Sequence, residues 1–225
     1  MSNLTQPVPI QVQVANPTTS VADSSINNLL GGRSNEAIAA LLHGNYYTET
    51  YRGNVFHGST ASAGVAIPAS GTTSPTFGVW NPTGSGVNVV LIAAYYGWVG
   101  TTAAPSTFMY EYKTGVGSAI GTGAPISAFN TGTQRNGLLG VGATSKVLFT
   151  PAGTNTLGSA GTVLGNNGIS QLTTTGTAAG ASGWQWVDFF EGTVIIPQGV
   201  FLYNTASAAE LSSISIRWTW YEFPV

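Results

Sequence analysis

Residues 213–221 alternate without a break. Ile214, Ile216, Trp218 and Trp220 fall on one face, and Ser213, Ser215, Arg217, Thr219 and Tyr221 on the other. A period of two carried by β-branched and aromatic residues specifies a strand half-buried against a core. The strand comes late in the chain, so the residues before it must supply the sheet that it joins. Just upstream, two apolar runs, 194–196 and 200–203, are separated by Pro197-Gln198-Gly199, a turn signal. Residues 87–96, interrupted only by Asn88, read as the most buried strand of the chain.

From Tyr46 onward the pattern is of short strands and turns. Tyr46, Tyr47, Tyr51, Val55 and Phe56 suggest an aromatic strand pair around Arg52-Gly53-Asn54. Residues 108–113 set Phe108, Tyr110 and Tyr112 against Met109, Glu111 and Lys113, a strand with one wet face. Residues 114–183 are rich in Gly, Ala, Thr and Ser, with strands expected only at 138–141, 147–149 and 164–172. About eight to ten strands at a spacing of 8–12 residues indicate an antiparallel sandwich or barrel. No exact repeat supports a propeller or solenoid.

Residues 1–44 differ. Pro7-Val8-Pro9 holds the backbone extended, and Ile10, Val12 and Val14 then alternate with Gln11 and Gln13. After Leu29-Leu30-Gly31-Gly32, Ser34 and residues 36–42 carry a short helical signal stopped by Gly44. A lone strand, a Gly-Gly break and a short helix bury little by themselves. Residues 1–44 therefore read as an arm that docks on a neighbour, with a partly ordered tail as the alternative, and residues 45–225 as the β domain. The contact residues expected are Ile10, Val12, Val14, Leu29, Leu30 and Arg33 of the arm, with Arg217 on the domain.

Charge bears on function. Asp, Glu, Lys and Arg make up 6% of the chain, against about 25% in typical soluble proteins. With 43% hydrophobic residues a core is available, but the surface must be largely Gly, Ser, Thr, Asn and small apolar side chains. Such a surface suits extensive protein contact, because few charges need desolvating on association. Lys and Arg form no cluster, which argues against nucleic-acid binding. There is no cysteine. The N-terminus lacks the basic start and apolar block of a secretory signal, and every apolar run falls short of the ~20 residues of a membrane span.

Chemistry-bearing constellations are sparse. His43 and His57 have only Glu49 between them, below any metal-site spacing. Asp188 and Glu191 are the closest acidic pair; on one strand their odd separation would place them on opposite faces, and Glu191-Gly192 reads more as the end of one strand and the opening of a turn. Trp184, Trp186, Trp218, Trp220 and Tyr221 could build a sugar platform, though alternating tryptophans on a strand are more often core. Arg217, opposite the tryptophan face, is expected to pair with a carboxylate, either within the chain or across a subunit boundary. No catalytic residue, cofactor site or metal site is assigned.

The segment GNYYTETYRGNVFHG, the Gly/Ser-punctuated strands after it, and the ending FEGTVIIPQGVFLYNTASAAELSSISIRWTWYEFPV together resemble bacteriophage virion proteins. The resemblance covers the chain from about Asn45 and is weakest over 114–183. It implies a single jelly-roll or closely related β-sandwich, commonly a homotrimer, that cements or decorates a capsid lattice. The partners implied are the major capsid protein or other virion proteins, with no nucleic acid and no membrane, in a virion assembled in the host cytoplasm. It brings no catalytic residues with it. The alternatives are a capsid shell, neck or tail component, and a carbohydrate-binding host-adhesion module.

Overall fold

The computed structural model describes residues 46–99, 107–117, 126–128, 131–140, 142–152, 155–170 and 185–225. The chain divides into two compact units, Met1–Thr48 and Glu49–Val225. The arm strand expected at 10–14, the helix expected at 36–42, and the contact residues Ile10, Val12, Val14, Leu29, Leu30 and Arg33 all lie outside the described residues.

The order of elements is α1 (Tyr47–Tyr51), β1 (Val55–Ser59), β2 (Val65–Ile67), β3 (Gly78–Asn81), β4 (Val87–Trp98), β5 (Thr107–Lys113), β6 (Ile126–Ala128), β7 (Arg135–Asn136), β8 (Leu148–Thr150), β9 (Thr156–Leu157), β10 (Thr162–Ser170), β11 (Gln185–Ile196), β12 (Val200–Ala206) and β13 (Glu210–Pro224). One sheet has the order β11-β4-β13-β1-β7, with β2 also pairing β13, and a second has the order β10-β5-β12-β3-β8. All these pairings are antiparallel. The quartets β1-β13-β4-β11 and β3-β12-β5-β10 have the strand order of a jelly roll. The fold is thus an all-β antiparallel sandwich, as the strand spacing indicates.

The alternating run at the end becomes the centre of the first sheet, between β4 and β1. Its register explains how two indoles fit there. Trp218 lies opposite Ala94 of β4 and Gly58 of β1, two small residues that leave room for its ring. Trp220 lies opposite Leu91 and Phe56. Phe77 meets Trp218 and Phe149 edge-on, both at 5.3 Å between centroids. Trp218, Trp220, Phe77 and Phe149 are completely buried, and each such ring contributes on the order of 3 kcal/mol by leaving water. The core reading of the tryptophans on β13 holds.

Three expectations are corrected. Tyr47–Tyr51 form a single helical turn instead of a strand, because Glu49 organises the segment that follows. Its carboxylate accepts from Arg52 and Asn54 at 3.0 Å each, and its carbonyl accepts the Asn54 amide at 2.9 Å. Leu138 lies in a bend, not a strand. Asn136 takes over the local hydrogen bonds, accepting the Leu138 amide at 2.8 Å and donating to Gly53 and Ala143 carbonyls. The third correction concerns β5, whose expected wet face is covered. Met109 is buried and Glu111 is fully so.

That cover creates a second small core on the outer face of the second sheet, built by Trp80, Phe201 and Tyr203 with Val116 and Leu157. Glu111 survives there because every nearby donor is aimed at it. It accepts from Ser70 Oγ at 2.5 Å, the Gly71 amide at 3.1 Å, Thr205 Oγ1 at 3.1 Å and Tyr203 OH at 3.1 Å. A buried carboxylate is tolerated only when its acceptor capacity is filled in this way.

Candidate functional site

β13 and its neighbours close over the core, and the longer edge strands lie along one side of the sandwich, the short β7 and β8 ending the sheets on the other. β10 ends the second sheet and β11 ends the first, each with a neighbour on one flank only among the described strands. The two edges lie on the same side, since β11 packs across the core on β5: Phe190 meets Tyr110 at 5.2 Å and Trp186 meets Phe108 at 5.1 Å between centroids. Between them runs a groove of about 280 Å³, lined by Tyr112, Leu164, Val194, Ile196, Val200 and Leu202 among others, none of them charged.

The edge strands carry apolar side chains outward as well. Along β11, exposed and half-buried residues alternate to the last position, and the exposed set includes Val187, Phe189 and Ile195. Phe189 is 68% exposed and Ile195 56%. On β10, Val163 and Leu164 are exposed. Large apolar side chains concentrated on two neighbouring edges are the pattern of a protein-contact surface.

β11 also carries an interruption. Its pairing with β4 jumps from Phe189↔Ala93 to Val194↔Leu91. Within that gap Glu191 and Gly192 both have positive φ, at 48° and 86°. Sequence reasoning expects a strand end and a turn at Glu191-Gly192. Instead the pair forms an irregularity inside one strand, which resumes and runs to Ile196. A left-handed glutamate is strained, and such a kink shortens the straight edge available to a partner strand.

Behind the edge lies a polar network that joins both sheets. Tyr96 OH donates to Tyr110 OH at 2.7 Å, and Tyr110 OH donates to Asp188 Oδ2 at 2.7 Å. Asn204 Nδ2 donates to Tyr96 OH at 2.9 Å, and Trp218 Nε1 approaches it at 3.4 Å. Burial pushes the Tyr96 and Tyr110 phenols well above their usual range. Trp186 stacks on Tyr96, with centroids 4.1 Å apart. Asp188 is thus held as an inward acceptor while Glu191 is exposed on the kink, so the two do not form an acid pair. No group of three or more His, Asp or Glu side chains that could hold a metal occurs among the described residues.

The other residues singled out in sequence are accounted for as follows. Trp218 and Trp220 are in the core, so they cannot stack on a sugar, and Trp184 and His43 lie outside the described residues. Arg217 is exposed, with its guanidinium carbon 4.0 Å from the centroid of Tyr95. Among the described residues it forms a cation–π contact and no ion pair. Two residues further along β13, Thr219 shares a 2.9 Å hydrogen bond with His57 Nδ1. Burial, and secondly the Arg217 charge, hold the His57 pKa below its usual value. The open edge itself was missed in sequence. Its only local signal is the apolar alternation at Val187, Phe189 and Ile195, and the groove needs β10 and β11 brought side by side.

Comparison with known proteins finds no matching family model, no matching curated protein and no matching solved structure.

Proposed function

We propose that this chain is a structural protein that acts by contact and not by catalysis, as a subunit of a small homo-oligomer built through the open β10/β11 edge. The observation that carries the reading is the uncharged groove between two unsealed edges, in a chain with 6% charged residues. A monomer with so few charges and such edges is poorly protected from association, whereas a subunit is covered by its neighbours.

The more specific reading is a virion component, a trimer that cements or decorates a phage capsid lattice. It rests on the sequence resemblance over residues 45–225, and the jelly-roll strand order is compatible with it, since capsid domains are among the proteins that use this fold. Lectin domains use the fold too, so the fold by itself assigns no role. The burial of Trp218 and Trp220 weakens the sugar-binding alternative.

The test is the mass of the purified protein by light scattering, followed by sedimentation with capsid shells that lack it. The expected result is one small oligomer that co-sediments at a fixed ratio to the shell protein. A monomer at micromolar concentration overturns the oligomer, and an oligomer that ignores the shells overturns the capsid role.

A further inference from the structure

We propose that residues 7–14 of one copy of this chain lie along the free edge of β11 in a second copy, with Ile10, Val12 and Val14 filling the groove between β10 and β11. This deepens the oligomer reading above and rests on it.

The receptor side is defined by chemistry and size. The groove is apolar, with no charged lining residue, and about 280 Å³ in volume. That is just below the range for ligand pockets, roughly 300–1,000 Å³, and the lining is mostly aliphatic, its polar side chains being Tyr112, Thr114 and Thr193. A row of aliphatic side chains fits this description. Along the rim, β11 offers main-chain donors and acceptors on the flank away from β4, which is the requirement for adding a strand. The kink at Glu191-Gly192 breaks the edge, so the straight portion beside the groove is short. It suits a brief strand.

The donor side is defined by pattern. Pro7-Val8-Pro9 holds the segment extended and ends its pairing capacity, since proline has no amide proton to donate. Ile10, Val12 and Val14 then present three β-branched side chains on one face and Gln11 and Gln13 on the other. At ~3.3 Å per residue these five residues span roughly 13 Å, with the apolar side chains about 7 Å apart. Within residues 1–45 this is the one run with a clean period of two.

The unit Glu49–Val225 begins beside β7, where Asn136 Nδ2 donates to the Gly53 carbonyl at 2.6 Å. β7 and β11 are the opposite ends of the first sheet. The exchange can therefore be reciprocal in a two-fold dimer or head-to-tail in a closed ring. The residues between 14 and 49 can extend roughly 110 Å, so a neighbour's groove is in reach.

Because the chain has no cysteine, engineered cysteines report the contact without background. The full-length Val12→Cys and Leu164→Cys single variants are mixed and oxidised, and the double variant is oxidised alone. The expected products are a disulfide-linked dimer from the mixture and a ladder ending at the oligomer size from the double variant. An intrachain bond, or none, overturns the exchange. Light scattering on the same samples separates the two failures. An oligomer without the crosslink removes the arm from the groove but leaves the oligomer standing, and a monomer removes both. As a second probe, Val12→Asp should weaken association at least about tenfold while leaving the β-sheet circular dichroism of the protein unchanged. Unaltered association in that variant overturns the proposal.

Discussion

Tyr110 of β5 gives its phenolic proton to Asp188 of β11 at 2.7 Å, so a hydrogen bond joins the two sheets just inside the open edge. Tyr96 donates to the same phenol at 2.7 Å. Removing the phenol takes this donor from Asp188, while Tyr96 keeps Asn204 Oδ1 as an acceptor at 3.2 Å; in a low-dielectric setting an unmade bond costs more than a made one contributes. Tyr110→Phe should destabilise the sandwich by about 1–3 kcal/mol in urea unfolding. Asp188→Asn, which keeps an acceptor oxygen, should cost less. The same phenols fix the alkaline limit. Tyr96, Tyr110 and Tyr203 are all raised above the usual value of 10. Above pH 10 the unfolded chain therefore loses protons that the folded chain keeps, and stability falls as pH rises. Melting temperature should drop through pH 10–11, less steeply in Tyr110→Phe.

His57 sets a slope on the acid side. Its folded pKa is lowered from 6.5 by burial and by Arg217. As pH falls through 6.5 the unfolded state takes up the proton first, so stability decreases with decreasing pH. His57→Gln preserves a hydrogen-bonding group for Thr219 and cannot be protonated. The variant should show a flatter melting-temperature profile between pH 7 and 5, and an unchanged slope would show that His57 does not carry this dependence.

Two glycines are closed to a side chain by their neighbours. A methyl at Gly78 would meet the Leu202 carbonyl oxygen at 2.4 Å, a backbone atom held in the β3–β12 ladder. A methyl at Gly58 would meet the Phe149 ring at 2.7 Å. Gly78→Ala and Gly58→Ala should each destabilise by about 1–3 kcal/mol. Gly78→Ala should be the worse, because a ring can tilt more readily than a paired strand can shift. Chemical denaturation of the two variants side by side checks the order.

Glu111 fastens the segment around Ser70 and Gly71 to the outer face of the second sheet. Glu111→Leu would leave these donors and Thr205 without their acceptor, at a cost of about 2–4 kcal/mol. The readout that separates loosened cover from general unfolding is limited proteolysis. Cleavage should appear first between residues 68 and 76, before the core strands are cut.

The strands that form the core were legible because their period survives in the sequence. Residues 213–221 and 87–96 pair with each other in the centre of a sheet, with Trp218 against Ala94. What failed to show locally is what depends on remote cover. Met109, Glu111 and Lys113 have the composition of a wet face, yet Met109 and Glu111 are buried, and residues 40 to 94 positions away supply the carboxylate's partners. Tyr47–Tyr51 carry aromatic residues suited to a strand, and the hydrogen bonds of Glu49 override that preference. The groove was illegible for a related reason: its walls come from β5, β10, β11 and β12.

The position of β13 has a consequence for synthesis. It is the last strand in sequence and lies between β4 and β1, so until it emerges from the ribosome the first sheet exists as two separated halves with no shared ladder. Phe56, Leu91 and Ala94 then have neither indole to close on. A chain that stops before residue 213 cannot fold into a near-native imitation of the subunit. Incomplete products are left to proteolysis.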